Sequence, residues 1–385
     1  VSGHWRRRES VTLSNGLVQA TLLTHGGYLS TFGFAPTADH PNLLWEAPYA
    51  TADCDADNFA ALASTYGGGA VGRFLASFTG HALCLDQFGM PSAEEEAQGV
   101  GLHGEAALAR WQVAATPANG LTAQASLPIA GLEVTRNITM LPGEAVMRVA
   151  ESVRTVGPRE RAVHWVQHAT WGAPFHVAGE SAIDAPLGRA AVWPLGYEGA
   201  ECLKSDAEFA WPLAPASDGK QEIDLRMPFH SAGCGFVAAC LQQAGRLTYV
   251  VGVNWRLGVA MGYCFRRADF PWLTLWEENC ARKTPPWNGR VQARGIEFGT
   301  TPFPLGRQEC AARGAMFGER TDRVIAAGST AQAPWLQFVA RVPTRWRGIS
   351  EITVERDALL LQSDGGEQVS VPARGAQDFF NGEDQ

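Results

Sequence analysis

No apolar run in the 385 residues approaches the roughly 18 consecutive positions of a membrane-spanning helix, so a helical membrane protein is excluded and a soluble chain is expected. The eight cysteines, at positions 54, 84, 202, 234, 240, 264, 280 and 310, contain no C-x-x-C pair and no finger-like ligand spacing. They read as reduced, mostly buried thiols in a chain large enough to build its core without disulfides, which points to a reducing, cytoplasmic compartment. The chain opens on Val1 rather than methionine, which leaves room for a leader removed beforehand. No phosphate-binding or dinucleotide-binding glycine fingerprint is present. Nor is there a concentrated basic face. The formal net charge is -8, and outside residues 6–8 and 341–347 the positive side chains are scattered, which excludes a nucleic-acid partner. Helical periodicity is scarce, and neither an internal repeat, a low-complexity segment nor an interdomain linker is found.

What is present is strand punctuation. The hydrophobic fraction of 46% with 18% charged residues is that of a folded chain with a large core. Forty-two glycines and twenty-two prolines break it into short apolar or alternating runs. Such runs cover residues 11–13, 17–23, 121–126, 132–140, 145–153, 162–168, 247–254, 258–263 and 272–276. Leu141-Pro142-Gly143-Glu144 joins two of them as a hairpin turn. The best helix candidate is short, residues 92–98, where Ser92 caps an acidic first turn. Residues 200–220 read as a surface excursion. The expectation is an all-β chain of two large packed antiparallel sheets, forming one domain over residues 1–385.

Polar residues then stand out against this background. Val163-His164-Trp165-Val166-Gln167-His168 reads as a strand, and alternation places His164, Val166 and His168 on one face. Two histidines four apart on a strand lie roughly 13 Å apart, too far to share a metal ion. His103 sits in Gly101-Leu102-His103-Gly104-Glu105, beside glycines that let backbone approach a ligand. Glu297, in Arg294-Gly295-Ile296-Glu297-Phe298-Gly299, is bracketed by apolar residues and glycines; turned into a dry cavity, its carboxyl would be raised into the range useful for proton transfer. Turned outward on an alternating strand, it would be an ordinary surface charge. Thirteen tryptophans, Trp276 among them, supply flat apolar faces, although most tryptophans in a large sandwich are packing residues.

Five elements in order resemble the aldose 1-epimerase (galactose mutarotase) family. They are Leu13-Ser14-Asn15-Gly16 with Thr24-His25-Gly26-Gly27; Tyr66-Gly67-Gly68-Gly69-Ala70-Val71-Gly72-Arg73; Leu102-His103-Gly104; Val166-Gln167-His168; and Ile296-Glu297. The resemblance implies the family's β-supersandwich and an isomerase that opens and recloses a cyclic sugar. It implies Glu297 as base toward the anomeric hydroxyl, His168 as acid toward the ring oxygen, and His103 and Arg73 as residues that bind and orient the substrate; Trp276 is a further substrate-binding candidate for its flat apolar face. Moving one proton off and one on requires no metal and no other cofactor, so the only implied partner is a small-molecule sugar. Glu105 where the family has a second glycine, and Ala169-Thr170-Trp171 after His168, make this a divergent member with an unusual sugar. Residues 80–84 with 92–96 are expected to cap the pocket, and Trp276-Glu277-Glu278-Asn279 to line its rim. Two other functions remain open on the sequence: a non-catalytic carbohydrate-binding protein, and a sugar lyase or hydrolase with a metal bridged by His81, His103, His168 or Glu277.

Overall fold

The strand runs assemble into two antiparallel sheets packed face to face, an all-β sandwich. The computed structural model describes residues 2–35, 41–54, 59–116, 119–196 and 200–381. Among these, one sheet has twelve strands and the other nine. The middle of the larger sheet consists of His81–Asp86, Arg161–Trp171, Gln292–Gly299, Trp272–Asn279 and Gly233–Leu241, side by side in that order. These strands are buried along nearly their whole length on both faces. That is why their sequences read as continuous apolar runs rather than clean alternation.

Each strand nevertheless keeps two faces. Val163, Trp165, Ala169 and Trp171 point into the core between the sheets. Val166 points the other way, into a second apolar cluster with Ala82, Cys84, Phe74, Phe78, Phe236 and Trp276. The expected hairpin is present as Leu132–Thr139 and Val146–Thr155, with Thr139 opposite Arg148. Three further strands, Ile349–Val354, Ala358–Ser363 and Gln368–Pro372, form a separate small sheet whose Leu359, Leu361 and Val371 join the main core.

Helices cover the outer face of the larger sheet. The short capped helix is there as Ala93–Ala97, with Ser92 and Glu95 completing a capping box. Two others, Phe59–Tyr66 and Gly69–Ser77, carry no readable periodicity, because the run Gly67-Gly68-Gly69 at their junction argues against helix. Glycine is required here for a different reason: a Cβ at Gly72 would overlap the Gly67 carbonyl as the chain turns from one helix into the next. One expectation is corrected. Residues 80–84 are not part of a cap; Gly80 leads into the central strand His81–Asp86, which contains the other four and is hydrogen-bonded to the His168 strand. Among the described residues no helix is long and apolar enough to cross a membrane.

Candidate functional site

Strand register builds the site. His168 stands directly opposite Glu297, and Glu297 directly opposite Thr274, on three adjacent strands. Residues paired across a sheet share a face, so the three side chains form a row on the outer face of the larger sheet. Nε2 of His168 lies 3.1 Å from Oε1 of Glu297. The Thr274 hydroxyl donates to Oε2 of Glu297 at 3.0 Å. On the far side of the imidazole, Oγ1 of Thr170 is 3.3 Å from Nδ1. Gly295 makes space for the carboxylate, which a Cβ at that position would overlap.

The row is almost dry: Glu297 is 1% exposed and His168 4%. Loss of water penalises charge on both groups. It raises the Glu297 carboxyl to about 8, against a smaller downward pull from the Thr274 hydroxyl. It lowers the His168 imidazole to about 3. A charged pair in contact would pull both values the other way. Here the contact is not aligned as a hydrogen bond, and Oε1 is left without a hydrogen-bond partner among the described residues, so burial prevails. At neutral pH the favoured state is a carboxylic acid beside a neutral imidazole.

A second imidazole approaches from the loops. His103 has a left-handed backbone, φ 67°, and its Nδ1 accepts from the Gly89 amide at 3.2 Å. The neutral ring therefore carries its proton on Nε2. Its ring stacks on Phe88 and lies 5.6 Å from that of His168, and burial holds it well below the ordinary histidine range. His164, on the same face of its strand as His168, accepts from the Phe88 amide at 3.1 Å and so anchors the loop beneath His103.

His103, His168, Glu297 and Trp276 all line one cavity of about 250 Å3. Its walls are aromatic: Phe74 and Phe78 from the helix Gly69–Ser77, then Trp193, Phe236, Trp276 and Trp287. Arg73 is not brought to it. Its guanidinium is drawn away to the Gly99 carbonyl, tying the helix to the segment that follows Ala93–Ala97. The arginine that does line the cavity is Arg282, lying 3.7 Å over the Trp287 ring and donating to buried Glu278 at 2.7 Å. Sequence reasoning missed it, although its place just before Pro285-Pro286-Trp287 was a signal of sorts. It also missed Thr274, which alternation in Trp272-Leu273-Thr274-Leu275-Trp276 puts on the Trp276 face.

The four side chains suggested as a metal set do not meet. His81 faces the core, stacked on Trp335 and hydrogen-bonded to Gln167. Glu277 is also on the inner face, 3.6 Å from Arg294 beside a smaller cavity of about 90 Å3. Of the expected rim residues, Trp276 lines the main cavity, while Glu277, Glu278 and Asn279 border this smaller one.

No protein-family model matches the sequence, and no curated protein matches it. Solved structures do share the fold. A Klebsiella pneumoniae protein to which aldose 1-epimerase activity is ascribed superposes with a TM-score of 0.61 at 16% identity, over 89% of this chain and 82% of that one. A galactose mutarotase-like protein of Clostridium acetobutylicum gives 0.56 at 10% identity, over 89% and 98%. A galactose mutarotase related enzyme of Lactobacillus acidophilus gives 0.54 at 13% identity, over 87% and 98%. At these identities the likeness establishes a galactose mutarotase-like fold.

Proposed function

We propose that the chain is an aldose 1-epimerase-like isomerase, acting over residues 1–385 as one unit, that interconverts the anomers of an aldose or modified sugar by acid–base ring opening. The observation that carries this reading is the 3.1 Å approach of His168 Nε2 to Glu297 Oε1 at the wall of a dry, ring-sized cavity. A carbohydrate-binding protein has no use for such a pair, and a metal-bridged lyase site loses two of its suggested ligands, His81 and Glu277, to the opposite face of the sheet.

In this reading the pair's single proton first passes from Glu297 to His168 across their 3.1 Å contact, and from that less favoured state Glu297 takes the proton of the anomeric hydroxyl while His168 gives one to the ring oxygen. The bond between C1 and the ring oxygen breaks, leaving an aldehyde and a hydroxyl. Rotation about C1–C2 presents the other carbonyl face, and closure returns both protons. Opening ends with the proton on Glu297 and none on His168, the distribution that burial favours. The dry cavity thus stabilises the pair at the open-chain stage, where the cyclic substrate has lost its own hemiacetal bond. His103 Nε2–H and the Trp276 face are the binding groups; a cytoplasmic location, suggested by eight cysteines with no C-x-x-C pair and no ligand spacing, belongs to the same proposal.

The test is NMR exchange or polarimetry on freshly dissolved anomers of a panel of aldoses, deoxy sugars and acidic sugars. We expect acceleration for at least one, and a loss of about 100- to 10,000-fold in turnover for Glu297→Gln and for His168→Asn with affinity nearly unchanged. No acceleration across the panel, or equal loss of binding and rate, would overturn the proposal.

A further inference from the structure

We infer that the ligand of this cavity is a cyclic hemiacetal whose polar atoms lie along the hemiacetal edge and whose remainder is apolar, a deoxy or alkyl-substituted lactol rather than a fully hydroxylated aldose. The inference rests on the epimerase reading and narrows it to a substrate class.

It starts from a count of hydrogen-bonding groups. Among the described residues that line the cavity, the side chains bearing a charge or an imidazole are His103, His168, Glu297 and Arg282. Nδ1 of His103 is already taken by the Gly89 amide, so one nitrogen remains for a ligand. Arg282 donates from Nε to Glu278, and its guanidinium carbon lies 3.7 Å over the Trp287 ring, which holds the group against the wall. Arg73, the cation that the family resemblance would place against sugar hydroxyls, is turned out to Gly99. Apart from the single N–H donors of the lining indoles, that leaves three acid–base side chains, and they stand together: the rings of His103 and His168 are 5.6 Å apart, and His168 touches Glu297. They suffice for the anomeric oxygen, the ring oxygen and one neighbour.

Most of the rest of the wall is apolar, with the single N–H donors of the Trp193, Trp276 and Trp287 indoles as its other polar side-chain groups. Phe74, Phe78 and Phe236 face the row, and Val71, Leu75 and Leu102 complete the enclosure. Aromatic faces do stack on the C–H faces of ordinary sugars, but a hexose also brings three hydroxyls beyond the anomeric one and its neighbour. Each hydroxyl buried against such a wall without a partner forfeits its water, at a cost on the order of tenfold in affinity. A methyl or methylene in the same place gains by leaving water. The wall therefore discriminates by rejecting hydroxyls, the kind of selection that an apolar pocket exerts when it offers the extra oxygen nothing to bond.

The probes are 6-methyloxan-2-ol, whose two ring anomers exchange through an open hydroxyaldehyde, set against D-glucose and D-galactose. Exchange NMR gives kcat/KM for each, and saturation-transfer NMR on the Glu297→Gln variant gives their relative affinities without turnover. We expect the methyl lactol to exceed both hexoses by at least about tenfold in each measurement. Hexoses accelerated and bound as well as the lactol would overturn the substrate class while leaving the epimerase intact. Preferential binding of the lactol with no acceleration of any hemiacetal would support the ligand class and sink the epimerase reading. Binding of neither class would overturn the inference outright.

Discussion

The Glu297 carboxyl meets rings and one hydroxyl where a surface carboxyl would meet water, and two measurable consequences follow from its raised pKa. The first is catalytic. Between about 3 and about 8 the Glu297–His168 pair holds a single proton, which is the state that can both accept and donate. Activity should therefore run flat through neutrality and fall as the pH rises past about 8, when the last proton leaves. Thr274 stabilises the carboxylate, so Thr274→Val should move that descending limb to higher pH in a kcat/KM profile; a limb that stays put or moves down would remove Thr274 from this role. The second consequence is on stability. The unfolded carboxyl titrates near 4.5 and the folded one near 8, so between these values the folded state binds more protons and stability declines as pH rises. Glu297→Gln cannot titrate. The difference in Tm between variant and wild type should grow in the variant's favour from pH 4.5 to 9, whatever the other groups contribute to both proteins.

At the scale of elements, the strands and the short capped helix were legible, and the helices Phe59–Tyr66 and Gly69–Ser77 were not. Alternation placed His164, Val166 and His168 on one face, as the packing of Val166 with Ala82 and Cys84 bears out. What alternation within one strand does not contain is which strand lies beside it, and the meeting of His168 with Glu297 depends on that register between distant segments. The helix Gly69–Ser77 escaped notice because glycine opens it and recurs at Gly72, so tertiary contacts override its propensity. One such contact is specific: Glu96 of the neighbouring short helix accepts from the Ala70 amide at 2.8 Å, supplying the N-terminal cap that Gly68 lacks. Its negative charge also suits that end of the helix dipole. Glu96→Ala should cost about 1 kcal/mol of stability. Because this helix carries Phe74 and Phe78, KM should rise several-fold with kcat nearly unchanged. A fall in kcat alone would mean that the helix acts on the chemistry rather than on the wall.

At the scale of the molecule, the site strand is held from behind by the other sheet. Arg136, fully buried on Leu132–Thr139, pairs with Glu151 of Val146–Thr155, donates to the Gly27 carbonyl at 2.9 Å and reaches the Gln167 side-chain oxygen at 3.2 Å. Glu151 in turn accepts from the Trp165 indole and the Gln167 amide. Gln167 immediately precedes His168 and points the opposite way, so one network joins both sheets directly beneath the site. An apolar replacement could fill the same space, and a buried ion pair is by itself weak evidence for stability. Removing one member is a different matter, since it strands the other charge without water. Arg136→Met and Glu151→Gln should each destabilise the fold by about 3–5 kcal/mol. The double variant leaves no stranded charge and keeps an acceptor for Trp165 and Gln167, so it should lose about 0.5–3 kcal/mol less than the sum of the two. Urea midpoints of the four proteins measure this coupling. Strict additivity would mean that the two residues support the sandwich separately, and that the strand bearing His168 is positioned by apolar packing between the sheets rather than by this pair.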